Sequence, residues 1–254
     1  MLNVGVIGYG KTVDGLLGGP ISDLKHIEVE EITTTARDNK EITMPMPIYL
    51  KPKAENGTPM DIAFGKAYDA AYSWIKHHQD SFPPIVLNLT DGVPNDLQHG
   101  GNGKKTHDAA IRLMNLGTDH GKLLLFNAHF GNINDGEVLL PSTKSELNDQ
   151  YAQYLFDFTS TIPSTLIENA KLSGFNPKSG AKGLVFNASA EFLIKFIDFG
   201  SSILTANYFL TDIIELSLDV NVPVLDFNPV IAVVKELGFD QSSLEYIRAQ
   251  IYIL

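Results

Sequence analysis

Apolar and polar positions along this chain follow two alternating periods. Short, largely apolar runs fall at 4–7, 85–89, 123–126 and 184–186, each bounded by glycine, proline or polar residues. Such runs mark strands buried on both faces. Between them the apolar residues recur at helical spacing. Ile62, Ala63, Ala67, Ala70, Ala71, Trp74 and Ile75 do so over 61–75, and Ala109, Ala110, Leu113 and Met114 over 106–116. Tyr151, Tyr154, Leu155 and Phe158 do so over 148–159, a stripe read as core. Ahead of the first helix, Thr58 fits an N-cap and Pro59 the first turn. Strand and helix in alternation predict an α/β fold, doubly wound, with a mainly parallel sheet flanked by helices. In that sheet 86–89 and 123–126 are expected as neighbouring central strands. Residues 11–20 are glycine-rich and read as a turn. The polar, proline-containing stretch 38–56 reads as a loop with a short extended piece, and 95–105 and 130–136 read as loops.

The chain has 254 residues, long enough for one sizeable domain with an appendage. The expected division is 1–204 and a C-terminal extension, 205–254, in which 230–237 looks helical. Hydrophobic residues make up 44% and charged residues 19%, which places the chain with globular rather than disordered proteins. Its formal net charge of −11 argues against nucleic acid or an anionic membrane as partner. There is no cysteine, hence no disulfide framework and no thiol chemistry. No signal-peptide pattern opens the chain and no apolar run reaches membrane-spanning length, so a cytoplasmic location is expected.

Two short motifs carry the candidate chemistry. The run 83–89 ends abruptly in Thr90-Asp91-Gly92, with Pro94 barring continuation. A carboxylate therefore stands at the carboxyl end of a core strand, where open α/β sheets bind ligands. An Asp-Gly turn without chemistry accounts for the same residues, as capping does for Thr58. Gly57-Thr58-Pro59 before a helix, followed by Thr90-Asp91-Gly92 at the next strand end, resembles the von Willebrand factor type A (VWA) family. In that family both motifs belong to a metal-ion-dependent adhesion site. The likeness extends to Asn3-Val4-Gly5-Val6-Ile7-Gly8-Tyr9-Gly10 as the family's second strand and Val29-Glu30-Glu31-Ile32 as the edge strand beside it. It continues with 123–128 as the strand after Thr-Asp-Gly and 181–200 as the closing strand and helix of bacterial cytoplasmic members.

The resemblance implies a Rossmann-like fold in which Thr58 and Asp91 bind Mg²⁺ or Mn²⁺. It implies a partner protein offering a Glu or Asp carboxylate, and a tie to phosphatase or kinase signalling. It implies no catalysis. The family's first strand, central in the sheet and ending in Asp-x-Ser-x-Ser, has no counterpart before Asn3. Either the true start lies upstream, or the metal site is degenerate, or the C-terminal tail supplies the strand. In the last case 222–226, ending in Asp226-x-Asn228, is the candidate. Since Mg²⁺ takes six oxygens, the expected binding is weak.

A competing reading comes from Gly5 to Thr12, which satisfies G-x-x-x-x-G-K-T, the pattern of a phosphate-binding loop in a nucleotide-binding enzyme. Gly10, Lys11 and Thr12 would then hold phosphate. The context speaks against it, because the first glycine lies within a strand and the glycines after Thr12 break the required helix. The histidines form no zinc-like set, and His129 reads as a loop residue near the sheet edge that carries Asp91.

Overall fold

The computed structural model describes residues 3–35, 41–50, 56–131, 135–189, 191–200 and 229–235. β1 (Asn3–Tyr9) and β2 (Val13–Pro20) form a hairpin, and β3 (Glu28–Thr35) and β4 (Glu41–Ile48) a separate two-stranded ribbon. Then come α1 (Met60–Ile75), β5 (Ile85–Thr90) and α2 (Lys104–Met114). A short hairpin of β6 (Gly117–Thr118) and β7 (Gly121–Lys122) leads to β8 (Leu124–Phe130) and β9 (Val138–Leu139). α3 (Gln150–Asp157), α4 (Ile167–Leu172), β10 (Leu184–Ala188), a helix α5 over 191–200 and β11 (Pro229–Lys235) complete the described chain.

Seven strands make the main sheet, in the order β2-β1-β11-β5-β8-β10-β9. The five inner strands are mutually parallel, and β2 and β9 close the two edges antiparallel. The protein is thus mixed α/β, with a mixed sheet flanked by helices. β5 and β8 are neighbours in register from Ile85↔Leu124 to Thr90↔His129, as their largely apolar runs predicted. Strand period two splits their side chains between two cores. Val86 and Leu125 pack with α1, α2 and α3, alongside Phe64, Ala67, Leu113 and Leu155. Ile85, Leu87 and Phe126 pack on the other face with Phe175, Phe196 and Phe199.

The centre of the sheet is the main departure from expectation. β11 lies between β1 and β5, paired from Asn3↔Pro229 to Tyr9↔Lys235 on one side and from Val230↔Ile85 to Val234↔Leu89 on the other. The C-terminal region does supply a central strand, but through 229–235, which reads as helical in the sequence. A short apolar run cannot be told from a buried helix by periodicity alone, and the two parallel neighbours decide it here. Residues 222–226, the expected filler, lie outside the described residues. Two further expectations are corrected. The edge strand beside β1 is β2, from the glycine-rich stretch read as a turn, and not 29–32, which pairs with β4 in the ribbon. The stretch read as a loop at 38–56 contributes all of β4.

Two asparagines sit on the buried strands facing the α1–α3 layer, and their amides must find partners there. The Tyr9 hydroxyl donates to Asn88 Oδ1 at 2.9 Å, and Asn88 Nδ2 donates to Asn127 Oδ1 at 2.8 Å. Asn127 Nδ2 donates to Thr159 Oγ1 at 2.8 Å, whose hydroxyl donates to the Leu155 carbonyl at 2.7 Å. All four side chains are buried, so this chain of bonds ties β1, β5, β8 and the end of α3 under one core. Asn127→Leu strands the Asn88 amide and should cost about 2–3 kcal/mol in urea unfolding, the penalty of orphaned buried donors. Asn88→Leu combined with Asn127→Leu should cost at least about 1 kcal/mol less than the sum of the singles, because the partners leave together. Strict additivity would rule the coupling out.

Candidate metal centre at the sheet edge

The strand order reverses direction on either side of β11, and ligands of open α/β sheets bind outside the carboxyl ends of strands at such a point. β5 ends there at Thr90. The Thr90 hydroxyl folds the exit back, donating to the Gly92 carbonyl at 2.9 Å and accepting from the Gly92 amide at 3.2 Å. From α3, the Tyr151 hydroxyl also donates to the Gly92 carbonyl, at 2.8 Å. Asp91 is held between these anchors and is only partly buried.

Asn95, a few residues further on, reaches across to the other motif. The Thr58 amide donates to Asn95 Oδ1 at 2.7 Å, and the Asn95 amide donates to the Thr58 carbonyl at 2.9 Å. Gly57 makes this approach possible. Its φ of +106° suits glycine, and a Cβ there would stand 3.2 Å from the Gly10 carbonyl at the end of β1. The two predicted site residues thus lie on loops joined to one another at the carboxyl edge of the sheet, with the Gly57–Thr58 turn resting against β1.

Thr58 is buried at 2% exposure, yet it does not cap α1 as its sequence position suggests. The N-cap position falls to Pro59, and no side chain caps this helix. The reason is local. The Thr58 amide and carbonyl are both engaged by Asn95, and its carbonyl also accepts from the Met60 amide at 2.8 Å, which shifts the helix start one residue along. The Thr58 hydroxyl is left outside the helix's own hydrogen bonding.

Around this edge the wall is aromatic. His129 stands beside Thr90 in the sheet, stacks on Phe186 at 4.4 Å and meets Tyr151 edge-on at 5.4 Å. Burial pushes the Tyr9 and Tyr151 phenols well above their ordinary value. The Thr90 hydroxyl partly offsets this, and the Asp91 charge adds to it. Asp96 accepts from the Thr106 amide at 3.0 Å and from its hydroxyl at 2.6 Å, so a carboxylate already occupies the start of α2. There Gly103, at φ +66°, lets Tyr154 close down, and a Cβ would stand 2.7 Å from its ring. The competing phosphate-loop residues Gly5 to Thr12 run through β1 into the turn before β2. They open no helix, so the cradle of amides that phosphate requires is not formed there.

As donors for a metal, the residues fit in kind and fall short in number. The Thr58 hydroxyl and Asp91 carboxylate are the hard oxygen ligands that Mg²⁺ prefers. Among the described residues, however, no group of three or more His, Asp or Glu side chains could hold a metal ion. At this edge β11 reaches Lys235, opposite Tyr9. A separate groove of about 640 Å³ between the β1–β2 hairpin and α1, lined by Val6, Leu17, Lys66 and Trp74 among others, includes none of these residues. Among the described residues no helix is long and apolar enough to cross a membrane. Comparison with family models, with curated proteins and with solved structures returned no match.

Asn95 was not singled out in the sequence; Thr90 was read only as part of the Thr90-Asp91-Gly92 motif, and Tyr151 only as core. Asn95 sits in a Pro-Asn-Asp turn, where a side chain bonding to backbone is ordinary chemistry. What the sequence does not carry is that its partner is Thr58.

The raised tyrosines give a pH dependence with a definite sign. A phenol whose folded value lies above its unfolded 10.0 leaves stability intact below that pH, and stability falls as the unfolded chain ionises first. Above pH 10 each such tyrosine should steepen the loss by about 1.4 kcal/mol per pH unit. Tyr9→Phe should make the alkaline fall shallower by that amount in urea unfolding followed across pH 9–11. An unchanged slope would mean that Tyr9 ionises freely in the folded protein.

Proposed function

We propose that this protein is a metal-assisted protein-binding module of the adhesion-site type, with an incomplete metal site in this chain. The observation that carries this reading is the pair of hydrogen bonds between Thr58 and Asn95, which joins the Gly57-Thr58-Pro59 turn to the Thr90-Asp91-Gly92 loop. Support also comes from the position of both loops at the carboxyl edge beside the reversal of strand order, and from a threonine hydroxyl not used to cap its helix.

On this reading the Thr58 hydroxyl and the Asp91 carboxylate hold Mg²⁺ or Mn²⁺ weakly, and water fills most remaining positions. The cation supplies a bridging charge, able to accept a Glu or Asp carboxylate from a partner protein. The partner chemistry is therefore acidic, and the VWA resemblance points to one belonging to a phosphatase or kinase system. No step of bond-making or bond-breaking is asked of any residue at this edge, so the module is a recognition surface and not an enzyme. The parallel centre of the sheet acts as a rigid base, because its strands are bonded on both sides and their exits are fixed by Thr90, Tyr151 and Asn95.

The test is thermal unfolding with Mg²⁺ or Mn²⁺ against chelator. With a Kd of about 1 mM, 10 mM ion should stabilise by about 1.4 kcal/mol, a rise of a few degrees in Tm. Asp91→Ala should abolish that rise with little change in Tm under chelator, since the residue lies in a partly exposed loop. Thr58→Ala should abolish it too, and should lose less than about 1 kcal/mol in chelator because its hydroxyl caps no helix. If neither ion raises the Tm of the wild-type chain, the reading is wrong.

A further inference from the structure

We infer that the free edge of β2 and the groove beside it form a docking site for an extended, basic peptide segment of a partner protein, which adds to the main sheet as a further strand. The site lies away from the carboxyl edge and uses none of the adhesion-site residues, so it stands whether or not a cation binds there. β2 is an edge strand of the sheet and pairs only with β1. At a sheet edge every second residue turns its amide and carbonyl outward, and an extended chain can take them up. The Lys66 ammonium donates to the Val13 carbonyl at one end of this edge, and Pro20, which has no amide, closes the other. Between them Gly15, Gly18 and Gly19 leave the backbone open to close approach.

The groove beside this edge has the shape such a segment requires. It measures about 640 Å³ and runs between the β1–β2 hairpin and α1 from Lys66 onward. The space exists because the hairpin has glycines where other strands carry side chains. Gly5, Gly15, Gly18 and Gly19 all line it, and a Cβ built on Gly15 or Gly19 would meet no atom within 4 Å. A strand laid along β2 sends alternate side chains to one face, and here that face is an open floor. Trp74 lines the groove from α1, and its indole N–H is buried without a hydrogen-bond acceptor. A buried indole N–H ordinarily finds a partner, so an orphaned one marks a place that a further molecule completes. The charge of the segment follows from the rim. Lys66 is engaged by Val13, while the Asp69 carboxylate lines the groove in an exposed position. Asp14 is exposed on β2 itself. With a net charge of −11 behind them, these carboxylates favour Lys or Arg on the incoming segment and repel Glu and Asp. A second copy of this chain carries the same charge and is disfavoured as the occupant for the same reason.

Trp74 is the only tryptophan of the chain, so its emission reports on this groove directly. The full chain is titrated with a short blocked peptide alternating valine and lysine, with its counterpart alternating valine and glutamate, and with the valine–lysine peptide N-methylated along its backbone. The first should change Trp74 emission saturably and slow the exchange of β2 amides. The other two should bind at least about tenfold more weakly, the acidic one through repulsion and the methylated one because it has lost its backbone donors. Gly15→Val fills the floor where space is open, so it should keep wild-type stability in urea and weaken peptide binding about tenfold by blocking the groove. Asp69→Asn, at an exposed helix position, should weaken the basic peptide about threefold and flatten its salt dependence. If the valine–lysine peptide leaves Trp74 emission unchanged, or the methylated peptide binds as well as it does, strand addition at β2 is wrong. A dimer in sedimentation whose dissociation on dilution shifts Trp74 emission would assign the edge to a second copy, and would overturn the proposal too.

Discussion

The fold depends on the hydrogen bonding of β11 to both of its neighbours. β1 and β2 form a hairpin at one side of the sheet, and β5, β8, β10 and β9 form the other side. Only β11 joins them within the sheet, running parallel to β1 over Asn3–Tyr9 and to β5 over Ile85–Leu89. Take it away and two inner strand edges face each other with their backbone groups unpaired, which a buried site does not tolerate. Parallel pairing also aligns the strand exits at one edge. That alignment puts Tyr9, Thr90 and His129 close together, and everything argued about the candidate site follows from it.

A second layer of support runs at right angles to the first. The chain of bonds from Tyr9 through Asn88 and Asn127 to Thr159 crosses the sheet beneath the α1–α3 layer. Backbone pairing fixes which strands are neighbours. The side-chain bonds add a demand on register, since a slip of one residue would turn both asparagines to the opposite face, among Phe126 and Phe199. There they would be buried amides without partners, at a cost of roughly 1–3 kcal/mol each. The polar groups inside this sheet therefore specify its pairing, and the apolar ones supply the driving force.

How far the fold could be read from the sequence depended on how strongly each segment's own composition decided its state. β5 and β8 were legible because Ile85, Val86, Leu87 and Leu89 and the run Leu124 to Phe126 are apolar, with Asn88 the single polar position. α1, α2 and α3 were legible from their helical period. β2 was missed because its glycines carry no side-chain pattern, and its pairing with β1 makes it a strand. β4 was missed because Pro45 and Pro47 argue against a strand, although a two-stranded ribbon leaves room for them on its unpaired side. The run Val230 to Lys235 could be strand or helix, and only the vacancy between β1 and β5 settles it. At the site, Thr58 and Asp91 stood out because each ends or begins an element. Asn95 did not, because its effect lies in a contact between distant segments.

On the proposed reading, the shortage of ligands carries a thermodynamic consequence. Two protein oxygens bind a cation weakly, and a partner's carboxylate alone would face the negative charge of Asp91 and the protein's net charge of −11. Each then requires the other. The cation relieves the repulsion between two carboxylates, and the partner supplies the oxygen that the cation lacks. Because coupling between bound species is reciprocal, any factor by which the cation strengthens the partner's binding is the factor by which the partner strengthens the cation's. A site with a full set of its own ligands would lose that coupling, since the cation would bind whether or not the partner came. Incompleteness is what makes such a site responsive, provided the ligands it does have are rigidly placed, and the bonds from Thr90, Tyr151 and Asn95 to the two loops serve that end.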